Sequence, residues 1–201
     1  MGCDIHVCIE ALQDINGKNI WVNVDNWRVN PYNKNNKTTE YVIERIFTDR
    51  NYELFTMLSG VRNDGGNQTL GFNRGLPSNI SKESKNSYLE YSGYSHTPSY
   101  CNLRELKYAS LKYLTIERCG WVTNAIIDQY YTNNIKPNSW YKDVFPKEGY
   151  TYLEWEDKCD CFDRLIEVLN ERKRDVFNIY SFLPDNVTYD DKIRIVFWYD
   201  N

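Results

Sequence analysis

Two histidines, six cysteines and two arginines in a glycine-rich stretch are the residues with which this chain could do chemistry. His6 follows Asp4 by two positions in an alternating segment, and a D-x-H pair on one strand points both side chains to the same face. Some metal-dependent phosphoesterases open their metal site in this way. Adding His96, with Asp200 or Glu10 to fill the shell, gives a mixed nitrogen and oxygen set suited to a divalent metal such as zinc or manganese. The G-D and G-N-H-E turns that complete such an enzyme are absent, as are P-loop and Rossmann fingerprints, so no motif demands a cofactor. The competing reading makes Asp4 and His6 a buried hydrogen-bonded pair at the start of a sheet. Cys8 shares the face of His6, which permits a thiol nucleophile there, but no further residue supports one.

The arginines are the stronger signal. Between Arg62 and Pro77 the chain carries four glycines and two arginines in sixteen residues, too long for a simple connection. Arg62 and Arg74, with Asn63 beside the first, can offer forked guanidinium donors and exposed backbone amides to a phosphate or carboxylate. Their structural alternative is pairing with carboxylates of neighbouring helices. Aromatic content points the same way: 17 Tyr, 8 Phe and 6 Trp exceed what a core of this size needs, and tyrosine suits a recognition surface for a planar ligand or a protein partner. The candidate ligand set is Arg62, Arg74 and Arg104 on phosphates and Tyr52 or Tyr94 on a base, with Asn63 and His96 alongside.

The elements that must position these residues follow from periodicity. Asp4 to Leu12 alternates, with Ile5, Val7, Ile9 and Ala11 on one face. Asn16-Gly17 then turns the chain into a second strand over Asn19 to Val24. A short helix with Asp49 as its cap ends at Gly60, and another is expected over Ser81 to Tyr91. Asn102 with Glu105 makes a capping-box pattern, and further helices are expected at Val122 to Tyr131 and Asp157 to Arg174. Arg28 to Thr39 and Ser92 to Pro98 read as loops. The last strand, Lys192 to Asp200, is apolar on both faces and therefore central in its sheet. The fold class expected is α+β in a single domain: a twisted, mostly antiparallel sheet holding both terminal strands, helices packed on it, and long functional loops.

A formal net charge of −4 disfavours a nucleic-acid polymer as ligand, because phosphate contacts dominate such binding. No run approaches the ~18 apolar residues of a membrane span, and the opening residues lack a signal peptide's apolar stretch, so a cytoplasmic location is expected. The six cysteines are then expected as reduced thiols, and Cys159-Asp160-Cys161 is a lone C-x-C with no second pair at zinc-ribbon spacing.

Several segments also form a pattern across the whole chain: Met1-Gly-Cys-Asp-Ile-His6, Arg50-Asn-Tyr52, Val61-Arg-Asn63, Arg74-Gly-Leu-Pro77, Ser95-His96, Leu103-Arg-Glu-Leu106 and Arg194-Ile-Val-Phe-Trp-Tyr-Asp-Asn201. In these the chain resembles a family of small proteins of bacteriophages and prophages that open on the same six residues and end on a similar aromatic strand. The resemblance implies a viral setting, in the cytoplasm of a host cell, rather than a reaction; a small phage protein with Arg, Tyr and His loops, no polymer-binding charge and no catalytic fingerprint fits an accessory counter-defence role. One physical form of that role is a sponge for a cyclic nucleotide immune signal. The alternatives are a metal-dependent phosphoester hydrolase and an inhibitor that binds a host defence protein through its aromatic surface. The partners expected are thus a small nucleotide ligand, a host defence protein and further copies of the chain, without nucleic-acid polymer or membrane.

Overall fold

A computed structural model describes residues 2–33, 40–63, 67–91, 93–141, 148–179 and 187–200. Residues 34–39 and 64–66 and Ser92, read above as parts of loops, lie outside the described residues, as do Met1 and Asn201. The central sheet is antiparallel throughout and runs in the order β2 (Lys18–Asn23), β1 (Asp4–Ile15), β8 (Ile193–Asp200), β5 (Ser95–Asn102). Both terminal strands therefore lie at its centre, and the fold is α+β as the alternation implied. Asn16 and Gly17 take φ of 55° and 76°, the paired left-handed conformation of a type I′ hairpin turn, and join β1 to β2.

Alternation gives the sheet two unlike faces. On one, Ile5, Val7, Ile9, Ile193, Ile195 and Phe197 share a core with Leu54, Phe55 and Leu58 of α1 (Tyr52–Ser59), Leu103 and Leu106 of α3 (Leu103–Lys112), and Leu165 and Leu169 of α5 (Asp163–Phe177). The other face is also buried, and sets an ion pair among apolar Cys8, Val196 and Trp198. There Arg194 donates through Nε to Glu10 at 2.8 Å and through Nη1 to Asn79 at 2.9 Å, with its guanidinium 3.9 Å from the Trp21 ring centre. Glu10 also accepts from the backbone N–H of Ser81, which caps α2 (Lys82–Glu90), so the ion pair fastens that helix to the sheet. Trp198 lies on this face between His6 and Tyr88.

A second unit of structure is inserted between α3 and α5. β6 (Thr115–Thr123) and β7 (Tyr150–Lys158) pair along their full length, and one face of this hairpin packs Val122, Leu153 and Trp155 against Ile126 and Ile127 of α4 (Asn124–Asn133) and against Trp140. A short pair, β3 (Asn26–Val29) with β4 (Tyr41–Glu44), and a 3₁₀ turn at Val187–Lys192 complete the described elements. Among the described residues no helix is long and apolar enough to cross a membrane.

Several boundaries differ from the sequence reading. Asn51 rather than Asp49 caps α1, because its side chain reaches the N–H groups of Glu53 and Leu54. Residues 157 and 158 finish β7 before the chain turns at Cys159 to Phe162, so α5 starts six residues later than Asp157. Ser95 to Pro98 belong to β5 rather than to a loop. Thr97 sits at φ 50° before Pro98 and produces a bulge between His96 and Ser99 that hides the strand's period.

Candidate functional site

The cleft that gathers most of the candidate chemistry lies between α1, the segment following it, and the β6–β7 hairpin. Its volume is about 240 Å³, and Tyr52, Glu53, Arg62, Arg118 and Trp140 are in its lining. Each wall is built by a local rule. Gly60 ends α1 in the left-handed conformation at φ 74°, and the chain then folds back so that Leu70 and Phe72 donate their N–H groups to the carbonyls of Met57 and Leu58. Arg62 itself holds φ 61°, which costs a non-glycine residue about 1–2 kcal/mol. The hydroxyl of Thr56 lies 3.2 Å from the carbonyl oxygens of both Val61 and Arg62 and pins this turn in place. Arg62 is an exposed residue; its guanidinium stands 5.9 Å from the centre of the Tyr52 ring and hydrogen-bonds the Cys3 side chain.

The opposite wall depends on Gly120. A Cβ there would fall 2.6 Å from Cδ1 of Trp140, so only glycine lets the indole lie against the hairpin. Trp140 then meets Trp155 edge-on at 5.2 Å and carries the Arg118 guanidinium 5.1 Å from its ring centre. Arg118 is held by two carboxylates: it pairs with Glu53 of α1 and donates through Nε to Asp157 at 3.0 Å. One cleft is thus lined by two aromatic rings, each with an arginine over it, and by Glu53 and Glu117.

Of the ligand-binding set read from sequence, Tyr52, Arg62 and Asn63 come together here. The amide of Asn63 is already engaged, donating to Asn67 O and accepting from Asn67 N–H at 2.8 Å each, so it closes the turn rather than reading a ligand. Arg74 is elsewhere and takes the structural alternative. It forms a forked pair with Glu105 at 2.7 and 3.1 Å and lies 4.4 Å over Phe72. Glu105 meanwhile closes the capping box of α3 with Asn102, so Arg74 braces a helix end. Arg104 pairs with Asp191 at 2.7 Å on the surface, and Tyr94 is exposed without lining the cleft.

The metal set does not converge. β8 residues alternate in facing; His6 is opposite Trp198 and stacks on it, whereas His96 is opposite Tyr199 and stacks on that ring from the other side of the sheet. Asp4 is held by both arms of the Arg50 guanidinium at 2.5 Å, Asp200 Oδ2 lies 2.9 Å from Nε2 of His6 as its acceptor, and Glu10 is committed to Arg194. The Arg50 guanidinium holds the Asp4 carboxyl below the usual carboxylate range. Among the described residues no group of three or more His, Cys, Asp or Glu side chains is placed to hold a metal ion. The Cys8 nucleophile also loses its basis, since burial pushes that thiol up to about 12.

Arg118 and Trp140 are among the members of the cleft that the sequence reading missed, with Glu53 and Glu117. Gly120 inside an otherwise β-favouring run and the alternation of Tyr152, Leu153, Glu154 and Trp155 were the available signals for a strand approached closely by another side chain. No protein-family model, curated protein or solved structure matches this chain.

Proposed function

We propose that this protein is a binding module that sequesters a small phosphate-bearing ligand of nucleotide type, and that the cleft between α1 and the β6–β7 hairpin receives it. The observation that carries the reading is the pair of arginine-over-ring contacts, Arg62 on Tyr52 and Arg118 on Trp140, lining one cleft. A flat base is recognised by stacking and a phosphate by a guanidinium fork, and the cleft lining contains both kinds of group. Arg118 is fixed by Glu53 and Asp157 and serves mainly as wall; Arg62, an exposed residue that also hydrogen-bonds the Cys3 side chain, is the arginine assigned to the phosphate. At about 240 Å³ the cleft takes a base with little more, so a cyclic nucleotide of two or more units would project beyond it. The phage resemblance supplies the setting, in which such a ligand is an immune signal of the host.

The test is to incubate the protein with cyclic mono-, di- and oligonucleotides, remove unbound ligand, denature by heat and identify what is released. Intact ligand supports sequestration, degraded ligand indicates a hydrolase, and no retention of any member favours a protein partner. Arg62→Ala should lower affinity roughly 10- to 100-fold through loss of a charge-assisted hydrogen bond, while the protein stays folded. Binding to the unchanged protein should weaken as salt is added. Arg74→Ala should do the reverse, leaving affinity unchanged while lowering stability by about 1–2 kcal/mol, because the Glu105 fork is partly exposed. Equal affinity for the Arg62→Ala and unchanged proteins would remove the cleft from the proposal.

A further inference from the structure

All six cysteines are free thiols, yet one pair differs from the rest. Cys159 donates its backbone N–H to Leu114 O at 2.8 Å where the hairpin ends, and Asp163 donates to Asp160 O at 3.0 Å where the chain turns into α5. This tight reversal swings the side chains of Cys159 and Cys161 to the same side and sets their sulfurs 3.4 Å apart. The two share a hydrogen bond, which together with the N–H of Cys161 favours the thiolate of Cys159 and lowers its pKa. Cys161 is shifted upward, first because that bond holds its proton and then through burial. Cys159 retains 6% exposure and is flanked by exposed Lys158 and Asp160, whereas Cys8 and Cys101 are wholly enclosed and their thiols pushed up by burial.

We propose that Cys159 and Cys161 are a redox-modification site, a dithiol that closes to an intramolecular disulfide on reaction with a peroxide. The Cys159 thiolate attacks one oxygen of hydrogen peroxide, forming an S–O bond as the O–O bond breaks, and the departing hydroxide takes up the proton that the thiol released. Cys159 is thereby oxidised to a sulfenic acid and the peroxide reduced to water. The Cys161 sulfur then attacks the Cys159 sulfur, the S–O bond breaks, and the leaving hydroxide carries off the Cys161 proton as a second water. The two sulfurs have only to close from 3.4 Å to the bonded distance of about 2 Å. Neither cysteine lines the cleft.

The experiment treats the native chain with a small excess of hydrogen peroxide, then alkylates under denaturing conditions and counts thiols by intact mass and peptide mapping. Free thiols should fall from six to four, with the loss of two hydrogens placed in the peptide holding both Cys159 and Cys161 and reversed by a dithiol reductant. The pair should react at least about tenfold faster than Cys8 or Cys101. In Cys161→Ser the sulfenic acid should persist on Cys159 and be captured by a cyclic dione. Six alkylated thiols after peroxide, or oxidation of Cys3 or Cys119 while the pair stays reduced, would overturn the proposal. The peptide map of the unmodified sequence decides the matter even where Cys161→Ser does not fold.

Discussion

A chain cut after Phe197 is expected to be recovered only as insoluble protein. Trp198 and Tyr199 are both fully buried, and on opposite faces of β8, so the cut opens cavities on both sides of the sheet at once. Truncating one buried aromatic side chain costs about 3–5 kcal/mol, and two such losses match the whole stability of a typical domain, about 5–15 kcal/mol. The cut also removes Asp200, the partner of His6 and the residue against which both Asp4 and Ser95 are registered. Expression followed by fractionation tests the point. A soluble truncated chain with a cooperative melting transition would mean that β8 contributes far less than its place between β1 and β5 implies. The milder Trp198→Ala should remain folded in favourable conditions and lose about 3–5 kcal/mol in urea denaturation.

Arg194→Ala should be nearly as damaging, at about 3–5 kcal/mol, although it deletes a surface-type residue. The reason is what it leaves behind. Glu10 is wholly buried, and without the guanidinium its carboxylate keeps only the Ser81 N–H as a neutral donor. Arg194→Lys should recover part of the loss, since one ammonium cannot reach Glu10, Asn79 Oδ1 and Asn79 O as the fork does. Replacing both Glu10 and Arg194 with apolar residues of similar size should cost much less than Arg194→Ala alone, because no charge is then stranded. Urea titrations of the three variants measure this, and a cost below about 1 kcal/mol for Arg194→Ala would show that water reaches Glu10.

The parts of the fold that were legible in the sequence are those governed by near neighbours. Alternation in β1, the Asn16-Gly17 turn, the Asn102–Glu105 capping box and the doubly apolar β8 each depend on a few adjacent residues, and all stand where the pattern puts them. The hairpin of β6 and β7 was hidden because its strands are 26 residues apart and each buries one face only against the other's surroundings. Glu154 to Asp157 reads equally well as a charged helix start. The candidate site was half legible for a similar reason. Arg62 and Arg74 look alike in sequence, and what separates them is a distant partner: Tyr52 beneath one, Glu105 beside the other. His6 and His96 shared a donor chemistry, but which face of the sheet each occupies depends on strand register, and the bulge at Thr97 lies between His96 and the rest of β5.

The place of β8 between β1 and β5 also fixes an order of events in time. Glu10 meets Arg194 across 184 positions and His6 meets Asp200 across 194, so the central pairings are very long-range contacts. During synthesis the β1–β2 hairpin can form early, but the edge of β1 that will receive β8 stays open until Arg194, 184 positions beyond Glu10, has been made. β5 waits in the same way on its own side. Topologies of this kind fold slowly, and unpaired strand edges in the interval invite association between nascent chains. Glu10 on the second face, at the centre of β1, keeps that waiting edge from being a continuous apolar strip.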